Sequence, residues 1–331
     1  MVLWPDVPAQ TKIVGMPTIG VDHIREAAAR IKPYAHRTAV LTSRYFDDRL
    51  GAAVFFKCEN LQKVGAFKFR GACNAVMSLS DDEASRGVVT HSSGNHAQAV
   101  ALAARLRGID ATIVMHNNAP AVKRRAVEDY GARIVPVEPV EHVRVAVTNE
   151  IAQHSGAVII HPYNDPRIIA GQGTAAMELI EEIAPLDVML APVGGGGLLS
   201  GTSIATAALC PQADTFGTEP KGADDACRSF HGGQICPSDH PNTIADGLLT
   251  SLGDLTFAVI RRHVRDIVTV SDESIIDAMR TVWMRMKIII EPSAAVPVAA
   301  LLGGKLAVKG KRVGVILSGG NVDLDRLPWV V

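Results

Sequence analysis

The sequence predicts an α/β protein of two lobes, each with a mostly parallel sheet flanked by helices. Three observations point there. Short runs of β-branched and apolar residues recur along the 331-residue chain. They are continuous rather than alternating, the pattern of strands buried on both faces. Amphipathic stretches separate them, and strand–helix alternation builds parallel sheets with helices on both faces. A chain of 331 residues, 47% of them apolar, exceeds one ordinary core and is expected to divide between two. Few aromatic residues (5%) and 29 glycines suit many tight strand-to-helix turns.

In chain order, strands are predicted at Ala53–Phe56, Gly87–Thr90, Ala111–Met115, Arg133–Val137, Ala157–Ile160, Asp187–Leu190, Asp266–Val270 and Arg312–Leu317. Helices are predicted over Val21–Tyr34, Ala97–Leu106, Ala121–Tyr130, Gly173–Ile183 and Ser274–Met286. No internal repeat, low-complexity tract or long linker interrupts them. Ligands of such sheets sit at the carboxyl ends of strands, so the loops directly after strands carry the functional information.

The formal net charge is −1, which argues against a nucleic-acid partner or an anionic membrane. No apolar run reaches the ~18 residues of a membrane span. The opening Met1-Val2-Leu3-Trp4-Pro5-Asp6 lacks the pattern of a signal peptide, so a cytoplasmic protein is expected. The five cysteines form no CxxC pair and read as reduced, mostly buried thiols. With Val331 soon after Asn321, feedback control by a separate C-terminal domain is not expected.

Four loops carry chemistry. Pro192-Val193-Gly194-Gly195-Gly196-Gly197-Leu198 follows a predicted strand and precedes an apolar helical stretch. Its amides can converge on an anion, with a helix N-terminus adding positive potential. No GK[ST] follows, so it is not a Walker loop; the plain alternative is a flexible turn. Thr90-His91-Ser92-Ser93-Gly94-Asn95-His96 offers hydroxyls, an amide and imidazoles. Capping needs only one such residue, so the longer run suggests ligand contact. Lys68 stands between Phe67 and Phe69. An amine in an apolar pocket has a lowered pKa and becomes nucleophilic, whereas a lone lysine is commonly a surface residue. Leu317-Ser318-Gly319-Gly320-Asn321 follows the last strand and is a weaker anion-turn or hydroxyl signal.

In this order, Lys68 in Gly65–Ala72, Ser93 in Ser92–Gln98, the glycine run and Ser318 in Ser318–Asn321 resemble the fold-type II pyridoxal-phosphate enzymes. The similarity is greatest to serine/threonine dehydratases, hydroxyaspartate dehydratases and serine racemases. It extends from about Val21 to Asn321 and includes His161–Pro166, Ala170–Thr174 and Ile290–Ala294. The resemblance implies a tryptophan synthase β-like fold and pyridoxal 5'-phosphate. Lys68 would hold the cofactor as a Schiff base and take the Cα proton, with Phe67 beside the ring. Gly194, Gly195, Gly196 and Gly197 would cradle the phosphate, Asn95 would bond the ring hydroxyl, and Ser318 would face the pyridine nitrogen. Residues 87–164 would form a small mobile lobe, with 1–86 and 165–331 the large lobe. A homodimer is implied.

The reaction implied is β-elimination of water from a β-hydroxy-α-amino acid, giving a 2-oxo acid and ammonia, an ammonia-lyase of the EC 4.3.1 type. A neutral serine at the ring nitrogen makes a weaker electron sink, which favours rapid loss of the β-leaving group. Ser93 would stand on the opposite ring face from Lys68, where a hydroxyl could reprotonate Cα, so amino-acid racemisation is the alternative. Ser92, His91 and Arg144 are candidate substrate contacts. His91 and Arg144 could receive a second carboxylate by charge-assisted bonds, which favours 3-hydroxyaspartate over threonine or serine. A solvated helix-face arginine and a 3-phenylserine substrate both stay open. Tyr163 departs from serine racemases and leans toward a dehydratase. Glu219, Ala223 and Asp225 resemble the family's divalent cation site, whose oxygen ligands suit Mg²⁺ or Ca²⁺; the alternative is a solvated acidic turn.

Overall fold

A computed structural model describes residues 19–119 and 121–329; the Met1–Asp6 stretch read for a leader lies outside them. The strands are β1 (Val40–Leu41), β2 (Ala53–Cys58), β3 (Val88–His91), β4 (Ala111–His116), β5 (Arg133–Val137), β6 (Val158–Ile159), β7 (Val188–Pro192), β8 (Asp214–Pro220), β9 (Asp266–Val270) and β10 (Arg312–Leu317). One sheet runs β1-β2-β10-β7-β8-β9, and the other runs β5-β4-β3-β6. Every pairing is parallel except β1 on β2. The protein is therefore α/β with two sheets flanked by helices, the fold class predicted.

Each sheet reverses its strand order once, between β10 and β7 in the larger and between β3 and β6 in the smaller. Reversal separates two neighbouring loops at their carboxyl ends and opens the crevice where α/β sheets bind ligands. The loops at these points are Gly194–Gly197 after β7, Ser318–Asn321 after β10, Ser92–Gly94 after β3 and Ile160–Asp165 after β6. Three of the four loops that carry chemistry, and the His161–Pro166 segment, thus fall at the two switch points.

Lys68 opens a helix over Lys68–Met77 whose Phe69, Ala72, Cys73 and Val76 are buried in the core beneath the smaller sheet. The same helix packs on Pro166–Ile183, the long helix before the larger sheet resumes. The two approach closely at glycines: a Cβ on Gly171 would lie 2.6 Å from the Gly71 Cα. Lys68 is thereby set between the two sheets. The Pro166–Ile183 helix begins seven residues before the predicted Gly173, because the Asp165 carboxylate accepts from the Arg167 amide at 2.7 Å and Pro166 occupies the first turn.

Beneath Lys68 lies a largely buried ionic cluster. The Arg70 side chain is fully buried and donates in a fork to Glu59 at 2.7 and 2.8 Å. It also reaches both oxygens of Glu178 at 2.8 Å. Lys57 donates to Glu178 at 2.6 Å, and Thr38 to Glu59 at 2.6 Å. Two cations and two carboxylates balance, so each buried charge has a partner. The five cysteines are free, three of them buried, in keeping with the reduced thiols expected. Among the described residues no helix is long and apolar enough to cross a membrane.

Candidate active site

The two loops of the larger sheet frame one wall. The chain before Lys68 is sewn to the loop after β10: the Phe67 amide donates to the Ser318 carbonyl at 2.9 Å, and the Gly320 amide donates to the Gly65 carbonyl at 2.9 Å. Ala66 and Gly319 form an isolated antiparallel bridge. Lys68 is half-buried; its amine donates to the Pro162 carbonyl at 3.0 Å and lies 5.2 Å from the Phe67 ring centre. Loss of water lowers its pKa to about 8, the nearby Glu291 carboxyl opposing that shift. The amine thus turns inward to Pro162 and the Phe67 ring, unlike a surface lysine.

Pro162 is presented by a turn that His161 organises. The Nδ1 of His161 accepts from the Tyr163 and Asn164 amides at 3.2 and 2.9 Å. Burial, with His91 beside it, pulls its pKa down to about 4, so that nitrogen stays free to accept. Tyr163 then lies directly against the glycine loop: a Cβ on Gly195 would sit 2.3 Å from the ring. At Gly196 the backbone has φ +89°, and a Cβ there would stand 2.8 Å from Leu252 and Thr256. Gly196 caps the helix Gly197–Leu209 with no side-chain bond. The first-turn amides of that helix have no intrahelical partners.

Asn95 opens the helix Asn95–Arg107. Its Nδ2 donates to Glu291 at 3.0 and 3.1 Å, and its Oδ1 accepts from Asn321 Nδ2 at 2.9 Å. Asn321 also donates from its own amide to Glu291 at 3.2 Å. Burial raises the Glu291 carboxyl to about 7. The Asn95 amide cannot flip without breaking these bonds. Ser93 caps nothing: the cap residue is Gly94, and Ser93 Oγ accepts from the His116 amide at 3.0 Å. Ser92 Oγ accepts from Gly94 at 3.3 Å. His91 is buried at the end of β3, its ring 5.6 Å from that of His161.

Arg144 is not the solvated arginine allowed above. Its side chain is 11% exposed, Glu141 pairs with its outer end, and its Nε is buried with no protein partner. It stands in the first turn of the helix Glu141–Ser155, which packs on β3 and β4. Its charge reaches His91, lowering that imidazole together with burial.

Glu219 lies near the end of the neighbouring strand β8, Ala223 in the turn after it and Asp225 at the start of the next helix. Glu219 accepts from the Ala226 and Cys227 amides at 2.9 and 2.8 Å, and both Asp225 oxygens are buried without partners. Among the described residues no three His, Cys, Asp or Glu side chains gather into a metal cluster. These residues lie beside the cleft rather than in it; the Asp225 charge is felt at the Tyr163 hydroxyl, which burial pushes up to about 12.

The cleft fits a phosphate-bearing aldehyde. The glycine loop leads into a helix N-terminus whose first-turn amides, uncapped by any side chain, favour an anion. Ser318 is 1% exposed and its hydroxyl has no partner, a buried polar group awaiting one. The Lys68 amine is partly desolvated and suited to attack a carbonyl. Comparison with known proteins defines the class. Residues 31–319 match the family described as pyridoxal-phosphate dependent enzyme, and the chain belongs to that family. It is 50% identical to a β-hydroxyaspartate dehydratase of Paracoccus denitrificans, over 92% of this chain and 96% of that one. It is 49% identical to an L-threo-3-hydroxyaspartate ammonia-lyase of Saccharomyces cerevisiae, over 96% and 97%. The solved serine racemase of Dictyostelium discoideum superposes with a TM-score of 0.89 at 46% identity, covering 92% of this chain and 99% of that one.

Sequence reasoning gave no role to Glu291, His116 or His161. His116 ends β4, and the rule that strand ends face ligands would have found it. Glu291 falls in the family-matching stretch Ile290–Ala294, but its role had no local signal, since its partners Asn95 and Asn321 are 196 and 30 residues away.

Proposed function

We propose that the protein is a pyridoxal-phosphate-dependent ammonia-lyase that removes water from 3-hydroxyaspartate, giving a 2-oxo acid and ammonia. The observation that carries the substrate is Arg144, whose Nε is buried and unpartnered near His91. A second carboxylate is the group that a buried guanidinium recognises best.

When bound, the cofactor supplies an electron sink that makes the substrate's Cα proton acidic. Gly194–Gly197 would hold its phosphate, Asn95 its ring hydroxyl and Ser318 its ring nitrogen, with Phe67 beside the ring. Ser318 brings no charge to that nitrogen, which keeps the sink weak. Lys68, with its lowered pKa, is the base that takes the Cα proton. Ser92 Oγ and the amides near it form the pole for the α-carboxylate. His91 and Arg144 hold the side-chain carboxylate.

Ser93 Oγ accepts from His116, so its own proton remains available to Cα from the other side. That arrangement supports racemisation as a second reading. The reading further includes a homodimer acting in the cytoplasm, and a small lobe of residues 87–164 that moves against the rest.

Replacing Arg144 with glutamine should lower kcat/KM for 3-hydroxyaspartate about 10- to 100-fold, the worth of a hydrogen bond between charged groups. Threonine should change less than about twofold. Assay of 2-oxo acid release across both substrates checks this, and equal losses would contradict it.

A divalent cation held by Glu219, Asp225 and the Ala223 carbonyl also belongs to the reading. It is supported by the two orphaned Asp225 oxygens. EDTA should lower the melting temperature and Mg²⁺ or Ca²⁺ should restore it; a melting curve indifferent to both removes the cation.

A further inference from the structure

We propose that His116 is a specificity-determining residue: its Nε2 donates to the side-chain carboxylate of the substrate and joins Arg144 and His91 in holding it. The inference rests on the dicarboxylate reading above and adds a residue to it.

Strand register provides the first argument. His91 of β3 pairs with Val114 of β4 in a parallel ladder. Paired residues share a face, and side chains alternate along a strand. His91, Val114 and His116 therefore project to one side. The intervening Ile113 and Met115 are fully buried on the other, in the core that contains the alanines of Asn95–Arg107. The face that His91 and His116 share is the one covered by Glu141–Ser155, the helix that carries Arg144.

The second argument is unmet bonding. His116 Nε2 and Arg144 Nε are both buried without a protein partner. Two donors left unmet on facing elements are a cost unless a ligand meets them. A carboxylate has two oxygens and fits such a pair. Glu141 already binds the outer end of Arg144 but is 58% exposed on the solvent side, so it leaves the inner donor unused.

The third argument is position. The His116 amide donates to Ser93 Oγ at 3.0 Å, which ties this strand end to the loop that meets the reacting carbon. Burial and the Arg144 charge both lower the His116 pKa, so a neutral imidazole offers one N–H while Arg144 supplies the charge. Val114-Met115-His116 thus has a use that its place in a buried strand did not suggest.

The test uses the holoenzyme and two inhibitors that lack an amine and cannot react. Succinate carries two carboxylates, and butyrate of equal length carries one. Their dissociation constants are read by titrating each into the holoenzyme and following the cofactor's visible absorbance. In His116→Phe and in His116→Leu, which remove the donor by different routes, succinate should bind about tenfold more weakly, with butyrate unchanged. His116→Gln, which restores a donor near the Nε2 position, should recover succinate binding to within about threefold of the parent. Equal shifts for the two inhibitors, no shift for succinate, or no recovery in His116→Gln would overturn the assignment. So would a parent that binds succinate no better than butyrate. If the parent does not turn over 3-hydroxyaspartate, the functional reading fails, while the succinate series still decides the role of His116.

Discussion

Replacing Lys68 with alanine should abolish turnover, by at least about a thousandfold, and remove the visible absorbance of the lysine-linked cofactor. The amine has two tasks: it anchors the aldehyde and it moves the Cα proton. No neighbour can substitute, because the other titratable groups that reach this wall are Glu291, buried and bonded to Asn95, and imidazoles whose pKa values are lowered. The lowered pKa gives the prediction a pH signature. With a pKa of about 8, roughly a tenth of the amine is neutral at pH 7, against about one part in three thousand for an ordinary lysine. Only the neutral amine attacks. The rate at which cofactor-free protein recaptures its cofactor should climb about tenfold per pH unit below 8 and level off above it. A rate still rising steeply at pH 9.5 would mean that the amine is solvated. The Lys68→Ala variant should keep its melting behaviour in the cofactor-free state, which separates lost chemistry from lost fold.

Arg70→Met should cost about 3–5 kcal/mol of stability, the largest structural effect expected of a single change here. Removing the guanidinium strands Glu59 and Glu178 inside the protein with only Lys57 as counter-charge. The methionine fills the volume but supplies none of the donors. Arg70→Lys keeps the charge and loses the fork, so it should cost less. Denaturant midpoints of the holoenzymes read both values. Because Arg70 follows Lys68 by two residues in the same helix, cofactor release should precede global unfolding in Arg70→Met. A variant as stable as the parent would show that the cluster is not what holds this helix in place.

Most of the fold was legible, and the exceptions have physical causes. Strand β5 spans the predicted Arg133–Val137, and β10 the predicted Arg312–Leu317. Strand β8, Asp214-Thr-Phe-Gly-Thr-Glu-Pro220, escaped because polar residues and a glycine break its apolar run. Yet it is paired on both sides, and its Glu219 is sheltered by two backbone amides. The helix Glu141–Ser155 escaped because Val143, Val145 and Val147 alternate as in a strand. Crossover between parallel strands overrides that local preference. Pro297 hid the helix Pro292–Leu302, whose buried residues are held by packing in spite of the proline. Ala157–Ile160 pairs only at Val158 and Ile159, since β6 is a short edge strand.

At the site, the loops after strands were readable because glycine runs and polar clusters announce themselves within a few residues. The bonds that orient them were not. Glu291 meets Asn95 across 196 residues, and Asn321 meets Asn95 across 226. The Lys68 amine depends on Pro162, 94 residues on. Such pairings arise from strand order, which no local pattern encodes.

Borohydride reduction of the holoenzyme, followed by peptide mapping, tests the central claim most directly. Reduction fixes the cofactor to whichever amine holds it. The account predicts a single pyridoxyl-bearing peptide, the one that contains Lys68. A label on another lysine, or a protein that retains cofactor yet yields no labelled peptide, would contradict it.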